Sequence, residues 1–112
     1  MPFDLFQILE QMGEKSPELS KFLGIKILNW MSPFNAHLKA KMIEWSHEKT
    51  TIQIQSHRGI KNHIGGIHAG ALFTLGETCA GLTIIKNFSF KEYRPILADV
   101  TVTFKKQARE GA

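Results

Sequence analysis

The amino-acid sequence predicts an α+β domain in which a long apolar helix lies against an antiparallel sheet. Residues 50–55 and 97–105 alternate between apolar and polar side chains, as strands with one buried face do. Residues 67–86 are apolar without alternation and too numerous for one strand, which indicates a helix. An apolar helix after a hairpin is typical of helix-on-sheet layers. The length suits a single domain over residues 1–112.

The N-terminal residues are predicted to form two helices. In the first, apolar side chains recur at helical spacing, at Phe3, Phe6, Leu9 and Met12. Gly13 ends that segment. Ser16 and Pro17 are typical of the start of the second helix, with serine as N-cap and proline at the first position. Ser32 and Pro33 mark the turn that follows.

The middle of the chain is predicted to form a hairpin, a loop and the long helix, in that order. Residues 38–45 and 50–55 are the two strands, joined by the polar turn 47–49. Residues 58–66 form a polar loop that contains glycine. The helix follows, residues 87–90 break it, and residues 97–105 form the last strand. The apolar side of that strand is Ala98, Val100, Val102 and Phe104.

Composition excludes several classes of protein. Hydrophobic residues make up 43% and charged residues 21%, the balance of a folded globular chain. The net charge is +4, but the basic residues are scattered without interleaved aromatics, so nucleic-acid binding is not indicated. Cys79 is the single cysteine, which fits a reducing compartment and a cytoplasmic location. Residues 64–85 are long enough to span a bilayer, but they hold His68 and Glu77, so a buried helix is favoured.

Glu77 is the residue in the long helix that most suggests chemistry. It is the only acid in residues 64–90, and the residues around it are small or apolar. A carboxylate buried there would have to be paired, protonated or functional, and desolvation suits a carboxylate to general-base work. The alternative is a glutamate that points to solvent or into a dimer interface.

The loop before the helix adds a second element. Asn62, Gly65, Gly66 and His68 precede or open the helix. The first amides of a helix are free donors with partial positive charge, and they can hold a developing oxyanion. Glycines at this point permit close approach of a substrate.

These residues resemble the signature of a known family. The run from Asn62 to Ala71, continued to Glu77, is similar to the Asn…Gly-x-x-His-Gly-Gly…Asp/Glu motif of hotdog-fold thioesterases. The variant His-Ala-Gly-Ala-Leu-Phe, with glutamate and a later Lys-Gln-Ala-Arg at residues 106–109, resembles the bacterial YiiD C-terminal-like thioesterases. The resemblance covers residues 39–109.

The resemblance implies an antiparallel sheet wrapped around a long central helix, here preceded by N-terminal helices. It implies homodimers or homotetramers with active sites at the subunit interface. Acyl-CoA or acyl-carrier-protein thioesters would be the substrates, with no cofactor besides the CoA of the substrate. Neither a nucleic acid nor a membrane is expected as a partner.

The resemblance also implies roles for single residues. Glu77 takes the position of the carboxylate that attacks or activates water. The backbone N–H of Ala69 stands where the oxyanion donor lies, with alanine in place of the usual glycine. Asn62 matches the residue that orients water or the thioester, and His68 matches the motif histidine. The substrate-binding set is Gly65, Gly66, Gly70, Lys106 and Arg109, of which the last two would meet CoA phosphates.

Departures from the family pattern leave other functions open. The family fold needs further strands beyond Arg109, so the domain is expected to lack its last strands or to exchange them between protomers. The missing strands, and alanine instead of glycine at position 69, favour a non-catalytic acyl-CoA or lipid-binding module as the alternative. Hydration of an enoyl thioester ranks lower, because no aspartate lies close before His68. No metal site is expected, and Cys79 is expected to be a small core residue.

Overall fold

The computed structural model describes residues 15–88 and 92–112, together with residues 8 and 11. The predicted helix over Phe3–Met12 therefore lies outside the described residues, apart from those two positions. The described part is a mixed α+β chain with a small antiparallel sheet and a long helix, which confirms the predicted class. Its elements are α1 (Pro17–Met31), β1 (Lys41–Trp45), β2 (Thr50–Gln53), α2 (Ala69–Asn87) and the 3-10 helices Pro33–Leu38 and Arg58–Ile60.

Helix α1 begins and ends at the residues that its sequence indicates. Pro17 occupies the first turn, where its missing N–H costs nothing. Ser16 is the N-cap residue, as predicted, although its side chain makes no capping hydrogen bond. The N–H of Ser32 donates to the carbonyl of Leu28 at 2.8 Å, and Pro33 then opens a 3-10 helix.

The hairpin carries a bulge that the alternation did not predict. Met42 pairs with Ile52, but Glu44 pairs with Thr51, so Ile43 is an extra residue in β1. The extra residue shifts the phase of the strand by one position. As a result Met42 and Trp45 are both buried, while Ile43 and Glu44 between them are exposed.

Helix α2 packs one face on the hairpin. Thr74, Thr78 and Leu82 are its buried residues and recur at the spacing of one helical face. The Trp45 indole Nε1–H donates to the Leu82 carbonyl at 3.0 Å, and Lys86 Nζ lies 4.8 Å from the Trp45 ring centroid. Around this contact the first core cluster consists of Ile25, Met42, Trp45, Ile52 and Leu82. Neither described α-helix is long and apolar enough to cross a membrane.

A second core cluster lies under the start of α2. Its buried members are Leu38, Ile54, Ile60 and Ile67, and Ala108 packs against them. The C-terminal residues bind alongside this cluster. The N–H groups of Ile54 and Ser56 donate to the carbonyls of Ala112 and Glu110, each at 2.7 Å.

Residues 97–105, predicted as the last strand, take part in no strand pairing among the described residues. Leu97, Val100, Val102 and Phe104 are each between 41% and 51% exposed. Pairing to the body of the domain begins only after them, with the Ile67 N–H donating to the Ala108 carbonyl at 2.8 Å. The alternation is present in the sequence, but a strand needs a neighbouring strand, and the described residues supply none here.

Replacing Trp45 with phenylalanine tests the contact that joins α2 to the hairpin. Trp45→Phe removes the indole donor and part of the buried ring, so the free energy of unfolding should fall by about 1–2 kcal/mol. Trp30→Phe is the matched control, because Trp30 is 71% exposed. Urea denaturation followed by circular dichroism measures both. Equal losses in the two variants would contradict the assigned role of Trp45.

Candidate functional site

The start of α2 is held by one residue, His68. Its backbone N–H donates to the Ile60 carbonyl at 2.7 Å, which ties the helix to the 3-10 turn before it. Its Nδ1 accepts from the Gly70 N–H at 2.9 Å, so the imidazole is the N-cap. Its carbonyl accepts from the N–H groups of Ala71 and Leu72, at 2.9 and 3.2 Å. His68 therefore has a structural role in this chain.

These bonds leave one amide of the first turn available. Gly70, Ala71 and Leu72 all donate to His68, whereas the N–H of Ala69 has no acceptor among the described residues. A free amide at a helix N-terminus carries the partial positive charge of the helix dipole. The amide that the sequence predicts as the oxyanion donor therefore makes no hydrogen bond to the described residues.

The loop before α2 is shaped by Asn62. Its Oδ1 accepts from the N–H groups of Ile64 and Gly66, at 3.0 and 2.9 Å, and its own N–H donates to the Gly66 carbonyl at 2.8 Å. Gly65 has a φ of 85°, in the left-handed region that favours glycine. The amide oxygen of Asn62 is therefore committed to the loop, and only its Nδ2 can contact a ligand.

Because Gly66 has no side chain, the segment that follows the predicted strand 97–105 can pack closely against it. A Cβ built at Gly66 would collide with the Gln107 side chain. The sequence placed Gln107 in the Lys-Gln-Ala-Arg motif but not beside Gly66, because the contact joins two segments that are far apart along the chain.

The loop, the helix start and this later segment enclose a cleft of about 370 Å³. The cleft brings together three residues that the sequence predicted, Asn62, Ala69 and Lys106. The Lys105 and Lys106 side chains are exposed and form no ion pair within the described chain. The other lining residues are Ile64, Ile67, Leu72, Phe104, Gln107 and Ala108. The cleft therefore joins free donors and positive charge to an apolar wall.

Glu77 lies elsewhere on α2 and is exposed in the described chain, which fits the alternative of a glutamate that points to solvent or into a dimer interface. The sheet covers the face that carries Thr74 and Thr78, and Glu77 lies at the flank of that face, about 100° round the helix from Thr78. It is eight residues beyond Ala69, which is about 12 Å along the helix axis. Glu77 is not among the residues that line the cleft.

Two glycines of α2 have no described neighbour beyond the adjoining residues of the helix. A Cβ added at Gly76 or Gly81 would find no such atom within 4 Å, so the tight packing predicted there is not supplied by the described residues. Gly70 lies against the His68 ring. Arg109 is exposed and outside the lining of the cleft. Cys79 is half-buried, with Sγ 3.0 Å from the Thr50 carbonyl oxygen, and it packs on the first core cluster.

A family model described as "Domain of unknown function (DUF4442)" matches residues 22–111. The chain belongs to this family. The match spans the whole of the cleft and of α2, and it starts within α1. No curated protein matches the chain.

Two solved structures share the fold. A structural-genomics crystal structure aligns with a TM-score of 0.73 at 20% identity, over 96% of this chain and 70% of that one. A Pseudomonas aeruginosa protein of unknown function, described as a "probable thioesterase", aligns with a TM-score of 0.70 at 25% identity. That alignment covers 80% of this chain and 59% of that protein. Both structures fit a hotdog-like fold.

Substitution of Asn62 tests whether its Oδ1 stabilises the loop before α2. Asn62→Asp keeps an acceptor for the two loop amides, whereas Asn62→Ala removes it. The alanine variant should lose about 1–2 kcal/mol of unfolding free energy, and the aspartate variant clearly less. Urea denaturation of both variants is the measurement. An aspartate variant as unstable as the alanine variant would contradict the loop role of Oδ1.

Proposed function

We propose that the chain hydrolyses acyl thioesters of CoA or of an acyl carrier protein. The observation that carries the proposal is the Ala69 N–H, free at the start of α2 in a residue that lines the cleft. The description of the Pseudomonas protein as a probable thioesterase supports it. The motif from Asn62 to Glu77 supports a hotdog thioesterase, and residues 106–109 support the YiiD C-terminal-like type.

The chemistry follows from where charge develops. Water attacks the carbonyl carbon of the thioester, and the carbonyl oxygen becomes an oxyanion. The Ala69 N–H, strengthened by the helix dipole, donates to that oxygen. Glu77 takes the proton of the attacking water as general base. Collapse of the intermediate expels the thiolate, which takes up a proton, and leaves the free acid.

The distance between the two groups requires a second chain. A general base must lie within hydrogen-bond reach of the water that attacks the carbonyl. Ala69 and Glu77 of one helix are about 12 Å apart along its axis, so they cannot act on the same carbonyl. In a homodimer with two α2 helices side by side and antiparallel, Glu77 of the partner subunit comes opposite Ala69. A homotetramer would be a pair of such dimers.

Gly76 and Gly81 support this arrangement. Gly81 lies one turn after Glu77 on the same side of the helix, and a Cβ at Gly76 or Gly81 would meet no described atom beyond the neighbouring helix residues. Glycine inside a helix costs roughly 1 kcal/mol relative to alanine, so an approaching backbone gives these positions a physical reason. The partner's helix would also remove water from Glu77, which this chain alone leaves exposed.

The rest of the cleft fits the other parts of the substrate. Lys105 and Lys106 at its edge, with Arg109 beyond, would meet the phosphates of CoA. The Nδ2 of Asn62 would donate to the water or to the thioester, since its oxygen is held by the loop. Gly65 and Gly66 keep the loop free of side chains where the acyl-pantetheine arm would pass.

The exposure of Glu77 in the described chain favours one alternative, a non-catalytic module that binds acyl-CoA. Such a module would bind the thioester by the same cleft and leave it intact. Calorimetry with an acyl-CoA, run beside the activity assay, separates the two. Binding without thiol release in the folded full chain would establish the module and overturn the hydrolase.

Glu77→Gln tests the base. Thiol release from short, long and aromatic acyl-CoAs should fall by about 10²-fold or more, because glutamine keeps the shape but cannot accept the proton. Glu48→Gln is the control, since Glu48 is exposed in the hairpin turn. Unchanged turnover in Glu77→Gln would exclude Glu77. A single turnover in ¹⁸O-labelled water separates base from nucleophile, because only a nucleophilic carboxylate gains the label.

Ala69→Pro tests the oxyanion donor without disturbing the helix. Proline at the first helical position lacks only the free N–H, and His68 has the φ of −59° and ψ of 138° that suit a residue before proline. The melting temperature should be unchanged, whereas kcat should fall by about 10²-fold. Full activity in Ala69→Pro would show that the amide does not hold the oxyanion.

A mixed dimer tests whether the site is shared between chains. Each inactive variant retains what the other lacks, so a dimer of Ala69→Pro and Glu77→Gln chains contains one complete site and one doubly defective site. Co-expression with two affinity tags isolates this dimer, which should show about half the wild-type activity. No recovery would place both groups of each site in one chain and overturn the shared arrangement.

A further inference from the structure

A second concavity is lined by residues other than those of the cleft at α2. It is a groove of about 730 Å³ between α1, the Pro33–Leu38 3-10 helix and β1. None of its lining residues lines the cleft at the start of α2. Its volume is within the range of roughly 300–1,000 Å³ that is usual for small-molecule sites.

The floor of the groove is apolar. Ile25 and Met42 are both buried members of the first core cluster, and Ala36 and Ala40 keep the space above them open. Phe22 forms a wall and is 60% exposed, so part of its apolar surface faces the groove. The floor and wall could accept a hydrocarbon chain, and burying it would release water from them.

Four lysines and one acid surround this apolar floor. Lys21 is already engaged, because its Nζ donates to Glu18 Oε1 at 2.7 Å and to the Ile43 carbonyl at 3.0 Å. Lys26 Nζ lies 5.5 Å from the centroid of the Phe22 ring. Lys39 and Lys41 form no ion pair within the described chain. Lys26, Lys39 and Lys41 are therefore the lysines of the groove without an acidic partner among the described residues, and Lys39 and Lys41 lie close together in the sequence.

Lys39 also has an uncommon backbone conformation. Its φ is 50° and its ψ is 45°, in the left-handed region that glycine and asparagine adopt more easily than lysine. Lys39 is the C-cap of the 3-10 helix, and its N–H donates to the Ala36 carbonyl, so the left-handed conformation ends that helix. The lysine side chain at this point is exposed and lines the groove.

Lys39 and Lys41 also border a smaller cleft of about 270 Å³. Ser56 and His57 line it, and the buried Ser56 Oγ and His57 Nε2 have no hydrogen-bond partner. His57 Nδ1 accepts from the Gly59 N–H at 3.2 Å, so Nε2 bears the hydrogen when the ring is neutral. Two ammonium groups without an ion pair among the described residues thus adjoin one end of the apolar groove, and an anion would complement them.

We propose that the groove binds a single-chain amphiphile, with its anionic head at Lys39 and Lys41 and its hydrocarbon chain over Ile25, Met42 and Phe22. Phosphate and carboxylate heads share the chemistry that these lysines recognise. The site is independent of the proposed hydrolase site, because the two have no residue in common. Occupancy of the groove requires no bond to be made or broken.

Calorimetric titration of the full chain with dodecyl phosphate and with laurate, below their micellar concentrations, tests the proposal. The two ligands separate a phosphate head from a carboxylate head, and saturable binding of either supports the site. Inorganic phosphate and dodecyltrimethylammonium each lack one half of the recognised chemistry, so each should bind at least tenfold more weakly. No saturable binding of either anionic amphiphile would overturn the proposal.

Three variants locate the binding. Lys39→Asn removes the charge but suits the left-handed backbone, so it should weaken binding about tenfold without loss of melting temperature. Lys41→Gln should weaken it similarly, and Phe22→Ser should weaken dodecyl phosphate but not inorganic phosphate. Lys49→Gln is the control, because Lys49 is exposed and lies 3.6 Å from Glu44, outside both clefts.

Two results would contradict the assignment. Affinity equal to wild type in Lys39→Asn and Lys41→Gln would show that the ligand binds elsewhere. Binding to anionic phospholipid vesicles without any binding of monomeric amphiphile would show a membrane-contact surface instead of a groove for a single chain. Thiol release in Lys39→Asn should equal that of the wild type, so failure here and failure of the proposed hydrolase remain distinguishable.

Discussion

The arrangement of hydrogen bonds around His68 is the constraint on which the candidate site depends. Its backbone N–H fixes α2 to the preceding turn, and its ring and carbonyl satisfy the amides of Gly70, Ala71 and Leu72. A helix must place its first amides somewhere, since a buried N–H without a partner is costly. Because one residue accepts three of them, the fourth, at Ala69, is left as a donor beside the cleft. The hydrogen bonds to His68 therefore both cap the helix and leave the Ala69 amide as the candidate donor.

One side of α2 packs on the sheet, and residues outside that side carry the proposed chemistry. Thr74, Thr78 and Leu82 pack on the sheet and fix the rotation of the helix. That rotation turns Gly76 away from the sheet and puts Glu77 at the flank of the packed face, because a helix has a period of 3.6 residues. The proposed site uses the free amide at one end of this helix and the carboxylate two turns further on. In the proposed dimer, a second helix that runs the other way brings the two groups together.

The hairpin that supports α2 also borders the groove between α1, the Pro33–Leu38 3-10 helix and β1. The bulge at Ile43 changes the phase of β1, so Met42 and Trp45 both point into the core. The charges at Lys39 and Lys41 are left on the outer surface beside the groove. The bulge at Ile43 therefore completes the core, and it lies near the positively charged surface at Lys39 and Lys41. That surface has no role in the proposed hydrolysis.

The sequence alone determined the elements and the location of the candidate residues. Periodicity predicted α1, the hairpin and α2, and the motif drew attention to Asn62, His68, Ala69 and Glu77. These signals are local, so one chain segment suffices to carry them. The tertiary structure decided which of these residues meet. It brought Asn62, Ala69 and Lys106 to one cleft, placed Glu77 outside it, left residues 97–105 without strand pairing, and set Lys39 beside an apolar groove. Those outcomes depend on contacts between segments far apart in the chain, on the rotation of a packed helix and on the presence of a pairing strand, none of which a residue pattern contains.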